Sequence, residues 1–242
     1  MQAAEISPGL VIQGFTPPLN LNDFKLIAFD MDSTLINIEC IDEIADAAGR
    51  KAEVAAITEA AMRGEITDFK DSLRRRLALL EGVSVASMEA VYAERLQINS
   101  GAKELIDACK AAGMKVLLVS GGFTFFADRV KERLNIDFAR SNLLEIKDGH
   151  LTGKLITQAW GEICDGDEKR RTVLATCEQL GFSPKQAIAM GDGANDLPMM
   201  RLCAEAGGLS VAYHAKPKVR SEAMVSITAG GLDQLLCAFN HK

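Results

Sequence analysis

KLIAFDMDSTLINIEC, residues Lys25–Cys40, decides the fold. Its first part, KLIAFD, is a short apolar run and predicts a buried strand. The run ends on two acids, Asp30 and Asp32, one residue apart. Carboxylates ~4 Å apart repel by roughly 4 kcal/mol at an effective dielectric near 20. A chain that aims two of them at one small space needs a proton or a cation to compensate.

The same signature occurs twice more. KVLLVS (115–120) runs into Gly121-Gly122, and QAIAMGD (186–192) runs into Gly193, Asn195 and Asp196. Helical stretches lie between them: AKELIDACKAAG closing on Gly113, TFFADRVKERLN, and KRRTVLATCEQLG closing on Gly181. LLEIKDGHLTGKL predicts a hairpin turning at Asp148-Gly149, and LSVAY and VSITAG predict late strands. Strand–helix alternation with short connections predicts an α/β fold, a doubly wound, mainly parallel sheet with helices on both faces. Ligands of such sheets bind beyond the carboxyl ends of the strands. Asp30, Asp32, Ser120, Gly121, Asp192, Asn195 and Asp196 would meet there if their strands are neighbours, and Lys169, near its helix start, could reach the same edge.

Residues 1–24, with SPGL and TPPLN, read as an irregular lead-in. From 40 to 97 the pattern changes. Leu73, Leu77 and Leu80 recur at helical spacing and no strand stands out, so this segment predicts a small helical cap domain inserted after the first core strand. The core domain is then 25–39 with 98–242.

The chain has 242 residues, 48% hydrophobic and 25% charged, an ordinary globular composition. A net charge of −6 argues against a nucleic-acid partner, which would need a basic face. No apolar run reaches the ~18 residues of a membrane span, and the N-terminus lacks a signal peptide's basic start and apolar core. Six scattered cysteines without a CxxC pair read as reduced, mostly buried thiols of a cytoplasmic protein. Met199-Met200 reads as core packing, HAKPKVR (214–220) as a loop and helix start, and His150 and His241 receive no catalytic role. The oligomeric state is open, with a homodimer as one option.

Oxygen donors of this kind suit a hard divalent cation, Mg²⁺ above all. A cation, a lysine, a serine hydroxyl and glycine-exposed amides together suit a phosphoryl group. One aspartate could attack phosphorus to give an acyl phosphate while the other moves a proton. Taken singly, each feature has a blander reading: a strand-end Asp as a helix cap, SGG as a flexible turn. Their coincidence at three strand ends, with a lysine between, is what favours a site.

These residues also carry a resemblance. DMDST (Asp30–Thr34), Ser120-Gly121-Gly122, Lys169 and GDGANDL (Gly191–Leu197), in that order, together with IECIDE, SLRRR and VSGGF, closely resemble the haloacid-dehalogenase superfamily of phosphohydrolases and, within it, the phosphoserine phosphatases. The similarity covers about residues 24–235. It implies a Mg²⁺-dependent phosphomonoesterase acting on a small molecule, O-phosphoserine, in the last step of serine biosynthesis. Asp30 would be the nucleophile and Asp32 the general acid/base. Ser120 and the Gly121 amide would hold the phosphate and Lys169 would neutralise it. Mg²⁺ would bind Asp30, the Asp32 carbonyl and Asp192, with Asn195 binding phosphate and Asp196 ordering the metal shell and lysine. Glu39 would meet the substrate ammonium and Arg76 its carboxylate, a match a guanidinium fork suits. Arg74 and Arg75 read as a solvated helix face. Met62 and Phe69 are candidates to line the pocket or simply to pack the insert. Phosphoryl transfer to homoserine, or cleavage of another small phosphate, keeps the same chemistry. A signalling receiver domain shares the acids and lysine but needs about half this length and no helical insert.

Overall fold

In the computed structural model, which describes residues 3–63 and 65–240 apart from the Met62 side chain, every residue of Leu26–Phe29 is buried. A strand with no polar face needs cover on both sides. The chain begins with β1 (Ala4–Ser7), β2 (Leu10–Ile12) and β3 (Leu26–Phe29), then leaves the sheet for α1 (Cys40–Ala47), α2 (Lys51–Met62), α3 (Phe69–Ala78) and α4 (Val85–Glu94). It returns through α5 (Ala102–Ala111), β4 (Lys115–Phe123), α6 (Thr124–Arg133), β5 (Phe138–Lys147), β6 (His150–Ile156) and α7 (Gly166–Leu180). β7 (Ala187–Gly191), α8 (Leu197–Ala206), β8 (Leu209–Tyr213), α9 (Pro217–Glu222) and β9 (Val225–Ile227) complete it.

The strands lie in the order β1-β2-β9-β8-β7-β3-β4-β5-β6. From β9 to β5 all pairings are parallel, and both edges are closed by antiparallel pairs. Alternate side chains of the central strands feed two cores, as a period of two requires. Ile27, Phe29, Val116, Leu118, Ile188 and Met190 join the larger core with residues of α5 and α6. Leu26, Ala28, Leu117, Val119, Ala187 and Ala189 join the smaller one, where Val173 and Cys177 of α7 meet Met199, Met200 and Cys203 of α8. The methionine pair is core packing, as its sequence setting predicts.

Two features differ from the sequence reading or sharpen it. The lead-in is not irregular: β1 and β2 extend the sheet, with Leu10 opposite Ile227 and Ile12 opposite Val225. Three- and four-residue strands carry too little alternation to register, and β9, which joins β2 to the sheet, lies over two hundred residues away. The 40–97 segment holds α1 to α4 and no sheet strand among the described residues. It is tied to the core by main-chain bonds that no periodicity discloses. Gly82 N–H donates to Leu151 O at 2.8 Å, Leu151 N–H to Val83 O at 2.8 Å, and Val85 N–H to Gly149 O at 2.9 Å. The β5–β6 hairpin they grip turns where expected, with Asp148 and Gly149 both left-handed (φ 50° and 76°). No described helix is long and apolar enough to cross a membrane. Five of the six thiols are buried, all are unpaired, and Cys237 is exposed.

Candidate active site

β3 runs between β4 and β7, with Phe29 level with both Leu118 and Met190. Asp30 and Asp192 therefore leave the sheet at the same edge, beside the point where β4 bulges at Ser120. The Asp30 N–H still donates to Met190 O at 2.9 Å, which fixes where the first acid emerges. Met31–Leu35 then makes one wide helical turn, interrupted by extended Asp32 and left-handed Ser33 (φ 57°). That turn ends the strand, and both Asp30 and Asp32 line the cleft beyond it instead of Asp32 lying two residues, roughly 7 Å, further along the same face of a continuing strand. Both acids are buried, 5% and 9% exposed.

Lys169, the fourth residue of α7, is fully buried, and its Nζ lies 2.6 Å from Asp30 Oδ1 and 2.6 Å from Asp196 Oδ1. The other Asp196 oxygen accepts the N–H groups of Asp192 (3.1 Å) and Gly193 (3.0 Å). Asp196 thus holds the lysine with one oxygen and the turn carrying Asp192 with the other. Burial, then Asp196, pushes Asp30 well above the ordinary carboxylate range against the pull of Lys169. Burial, then Glu39, raises Asp32 to about 7, and burial, then Asp196, raises Asp192 to about 7. Burial alone would lower Lys169, but Asp196 and Asp30 outweigh it and leave the ammonium raised.

Oxygen ligands of Asp30, Asp192 and Asp196 lie within 4.8 Å of one another. Asp32 Oδ2 accepts the Cys40 N–H at 3.4 Å, while its Oδ1 is buried without a partner. The Thr34 hydroxyl donates to Asp192 Oδ1 at 3.4 Å. The all-oxygen donor set of Asp30, Asp192 and Asp196 fits a hard divalent cation.

Ser120 is fully buried, and its Oγ accepts the Gly122 N–H at 2.8 Å. Gly122 is tightly enclosed: a Cβ would sit 3.0 Å from Met31 Cε and 3.1 Å from Asp32 Oδ2. The glycine pair therefore brings main chain directly against the acids. A cleft of about 840 Å³ opens over this point. Asp30, Asp32, Glu39, Phe69, Arg76, Ser120, Gly121, Asp192 and Asn195 all line it, so the insert and the core share its walls.

Glu39, just before α1, accepts the Ser33 hydroxyl at 2.6 Å. The enclosing walls raise its carboxyl, with Asp42 adding to that, against the Ser33 bond. Arg76, in the last turn of α3, is half-buried, and its Nε donates to Ser72 O at 3.4 Å. Burial lowers its guanidinium, against the fields of Asp42 and Glu39. Arg74 and Arg75 are exposed and pair with Glu162 and Asp71, as a solvated face should. The Phe69 ring lies against Gly121, where a Cβ would come 3.3 Å from its Cζ. The expectation for Met62 concerns a side chain outside the described residues.

Three residues escaped the sequence reading. Asp42 and Lys216 also line the cleft. Asp42, three residues after Glu39 at a helix start, was legible from spacing; Lys216 sits in a loop with no pattern to mark it. Asn142 is fully buried in mid-strand β5, donates to Gly121 O at 2.7 Å and accepts the Cys164 N–H at 2.7 Å. A polar residue inside ARSNLLEI was its only signal.

A family model described as haloacid dehalogenase-like hydrolase matches residues 27–201. A protein of Polaromonas sp. named phosphoserine phosphatase is 72% identical, covering 98% of each chain. A solved structure described as a substrate-bound phosphoserine phosphatase complex is 37% identical, covers 90% of this chain and 99% of its own, and superposes with a TM-score of 0.79. Another, a phospho-aspartyl intermediate analogue of phosphoserine phosphatase, gives the same identity, coverage and TM-score.

Proposed function

This chain belongs to the haloacid dehalogenase-like hydrolases, and on that premise we propose that it is a phosphoserine phosphatase whose phosphoryl group passes through Asp30. One observation carries the site: the buried Lys169 bridges Asp196 to Asp30, and Asp30 lines a cleft whose other walls include Glu39 and Arg76.

Lys169 holds Asp30 Oδ1 and so fixes the direction of the carboxylate that attacks phosphorus. As the P–O bond to serine breaks, Asp32 gives a proton to the leaving alkoxide. It later takes one from the water that cleaves the acyl phosphate and frees Asp30. A carboxyl raised to about 7 is present in both protonation states near neutrality, which both steps need. Ser120 and the Gly121 N–H hold the phosphate oxygens, and Asn195 joins them from the β7 turn. Glu39 and Arg76 take the ammonium and carboxylate of the substrate, which supports an amino-acid phosphate over a neutral one. Phe69 covers Gly121 from the cap, 40–97, which excludes water while the acyl phosphate forms.

The metal this oxygen set would take is Mg²⁺, and Asp30, Asp192 and the Asp32 main-chain carbonyl would hold it. When bound it supplies positive charge that polarises the phosphoryl group. Asp196 falls in the same oxygen cluster, but its two oxygens already serve Lys169, Asp192 and Gly193, which favours an ordering role. A cytoplasmic setting fits unpaired, buried thiols. Phosphate release measured over a panel of metabolite phosphates, with Mg²⁺ and with EDTA, tests the assignment. Phosphoserine should lead the panel and EDTA should silence it. Preference for a phosphate lacking the amino-acid head, or transfer to homoserine outpacing hydrolysis, would count against it.

A further inference from the structure

The Ser120–Gly122 segment interrupts the ladder between β4 and β5. Val119 pairs with Arg140 and Phe123 with Asn142, so four steps along one strand match two along the other. Such a bulge strips main-chain groups of their ladder partners. Here one side chain replaces the lost partner: Asn142 Nδ2 donates to Gly121 O at 2.7 Å. The peptide between Gly121 and Gly122 is then tied at both ends, its C=O by Asn142 and its N–H by Ser120 Oγ at 2.8 Å. A planar peptide held at both poles cannot rotate, which removes the freedom a glycine pair would otherwise have. The same Asn142 accepts the Cys164 N–H at 2.7 Å, five residues before Lys169. It lies outside the cleft lining and is fully buried, so it reaches no ligand itself.

We propose that Asn142 is a positioning residue for the phosphate: through the Gly121 carbonyl and the Cys164 N–H it fixes the Ser120-Gly121-Gly122 loop against the start of the Lys169 helix. This rests on the phosphate-holding role given above to that loop. The tied Gly121–Gly122 peptide anchors the C-terminal side of Gly121 and so limits the adjoining Ser120–Gly121 peptide, which carries the phosphate-holding Gly121 N–H; once Asn142 lets go of Gly121 O, that neighbouring N–H samples a range of directions, and phosphate binding and turnover suffer. The amino-acid end of the cleft, built from Glu39 and Arg76, does not.

The test uses the full chain with Asn142→Ala and Asn142→Ser. The serine variant leaves room for water to satisfy both main-chain groups, so it keeps a folded sample available. Inorganic phosphate affinity by calorimetry with Mg²⁺, inhibition by L-serine, and kcat and KM for phosphoserine are measured beside urea unfolding. Phosphate affinity and kcat should each fall at least ten-fold, with serine inhibition within about two-fold of the parent. Phosphate affinity within two-fold of the parent in a folded variant would overturn the role, as would phosphate and serine affinities falling in equal proportion. A parent that released no phosphate from phosphoserine would sink the functional assignment, while the phosphate-affinity ratio would still decide the role of Asn142.

Discussion

Lys169→Met in EDTA removes a cation buried among the acids while keeping an unbranched apolar stem. Its ammonium contacts Asp30 and Asp196 at 2.6 Å each, with all three side chains 7% exposed or less. Each attraction is worth roughly 4 kcal/mol at ~4 Å between charge centres and an effective dielectric near 20. The desolvation of the lysine offsets several kcal/mol of that sum. Losing one partner of a buried pair leaves a net cost of ~3–5 kcal/mol, which in a chain of this size lowers Tm by roughly 6–20 °C. Urea unfolding followed by circular dichroism reads this directly, with an unchanged m confirming a comparable transition. Adding Asp196→Asn to the variant removes a charge that no longer has a partner, so at least ~1 kcal/mol should return as a coupling. A loss below ~1 kcal/mol, or strict additivity of the two changes, would refute the view that the lysine holds the acids together.

Arg76→Ala should lower kcat/KM for phosphoserine about 100-fold, the ~2–5 kcal/mol cost of losing one side of an enclosed charge pair. An aryl phosphate should lose less than about five-fold, and equal losses would make Arg76 structural. Gly101→Ala places a Cβ 2.0 Å from Asp233 Oδ1 at a φ of +74° and should cost more than ~2 kcal/mol in urea unfolding; an unmoved midpoint would refute the crowding. Asp137 is lowered although burial opposes it, because the Val116 N–H, Lys115 and Lys110 hold its ionised form. A depressed carboxylate stabilises above its unfolded value and ceases to do so as pH falls through the folded one. Asp137→Asn should therefore cost ~1 kcal/mol at pH 6, and the gap should close as pH drops below about 4; a gap constant with pH would contradict this.

What could be read in advance was whatever the chain states locally. KLIAFD, KVLLVS and QAIAMGD announce buried strands, and polar residues at their ends announce a shared edge once the sheet is parallel. Asp148-Gly149 and Gly181 name their own backbone conformations. The rest depends on distant partners. Ala4–Ser7 becomes a strand only because Leu10–Ile12 finds Val225–Ile227. Asn142 matters because a bulge in a neighbouring strand leaves Gly121 O without a partner, and neither residue shows that alone. Glu39 and Arg76 lie on different helical segments, and only the packing of α1 against α3 through α2 brings them to one cleft. Asp196 reads as a fourth acid in the sequence; its two differently engaged oxygens show it to be the brace between Lys169 and the Asp192 turn.

The most direct measurement is an acid-quenched single turnover with phosphoserine labelled in its phosphoryl group, followed by proteolysis and peptide mapping. The label should appear transiently on the peptide containing Asp30 and be absent from Asp30→Asn, which should keep its fold and release no phosphate. Label on another residue, or undiminished turnover by Asp30→Asn, would contradict Asp30 as the group that receives the phosphoryl.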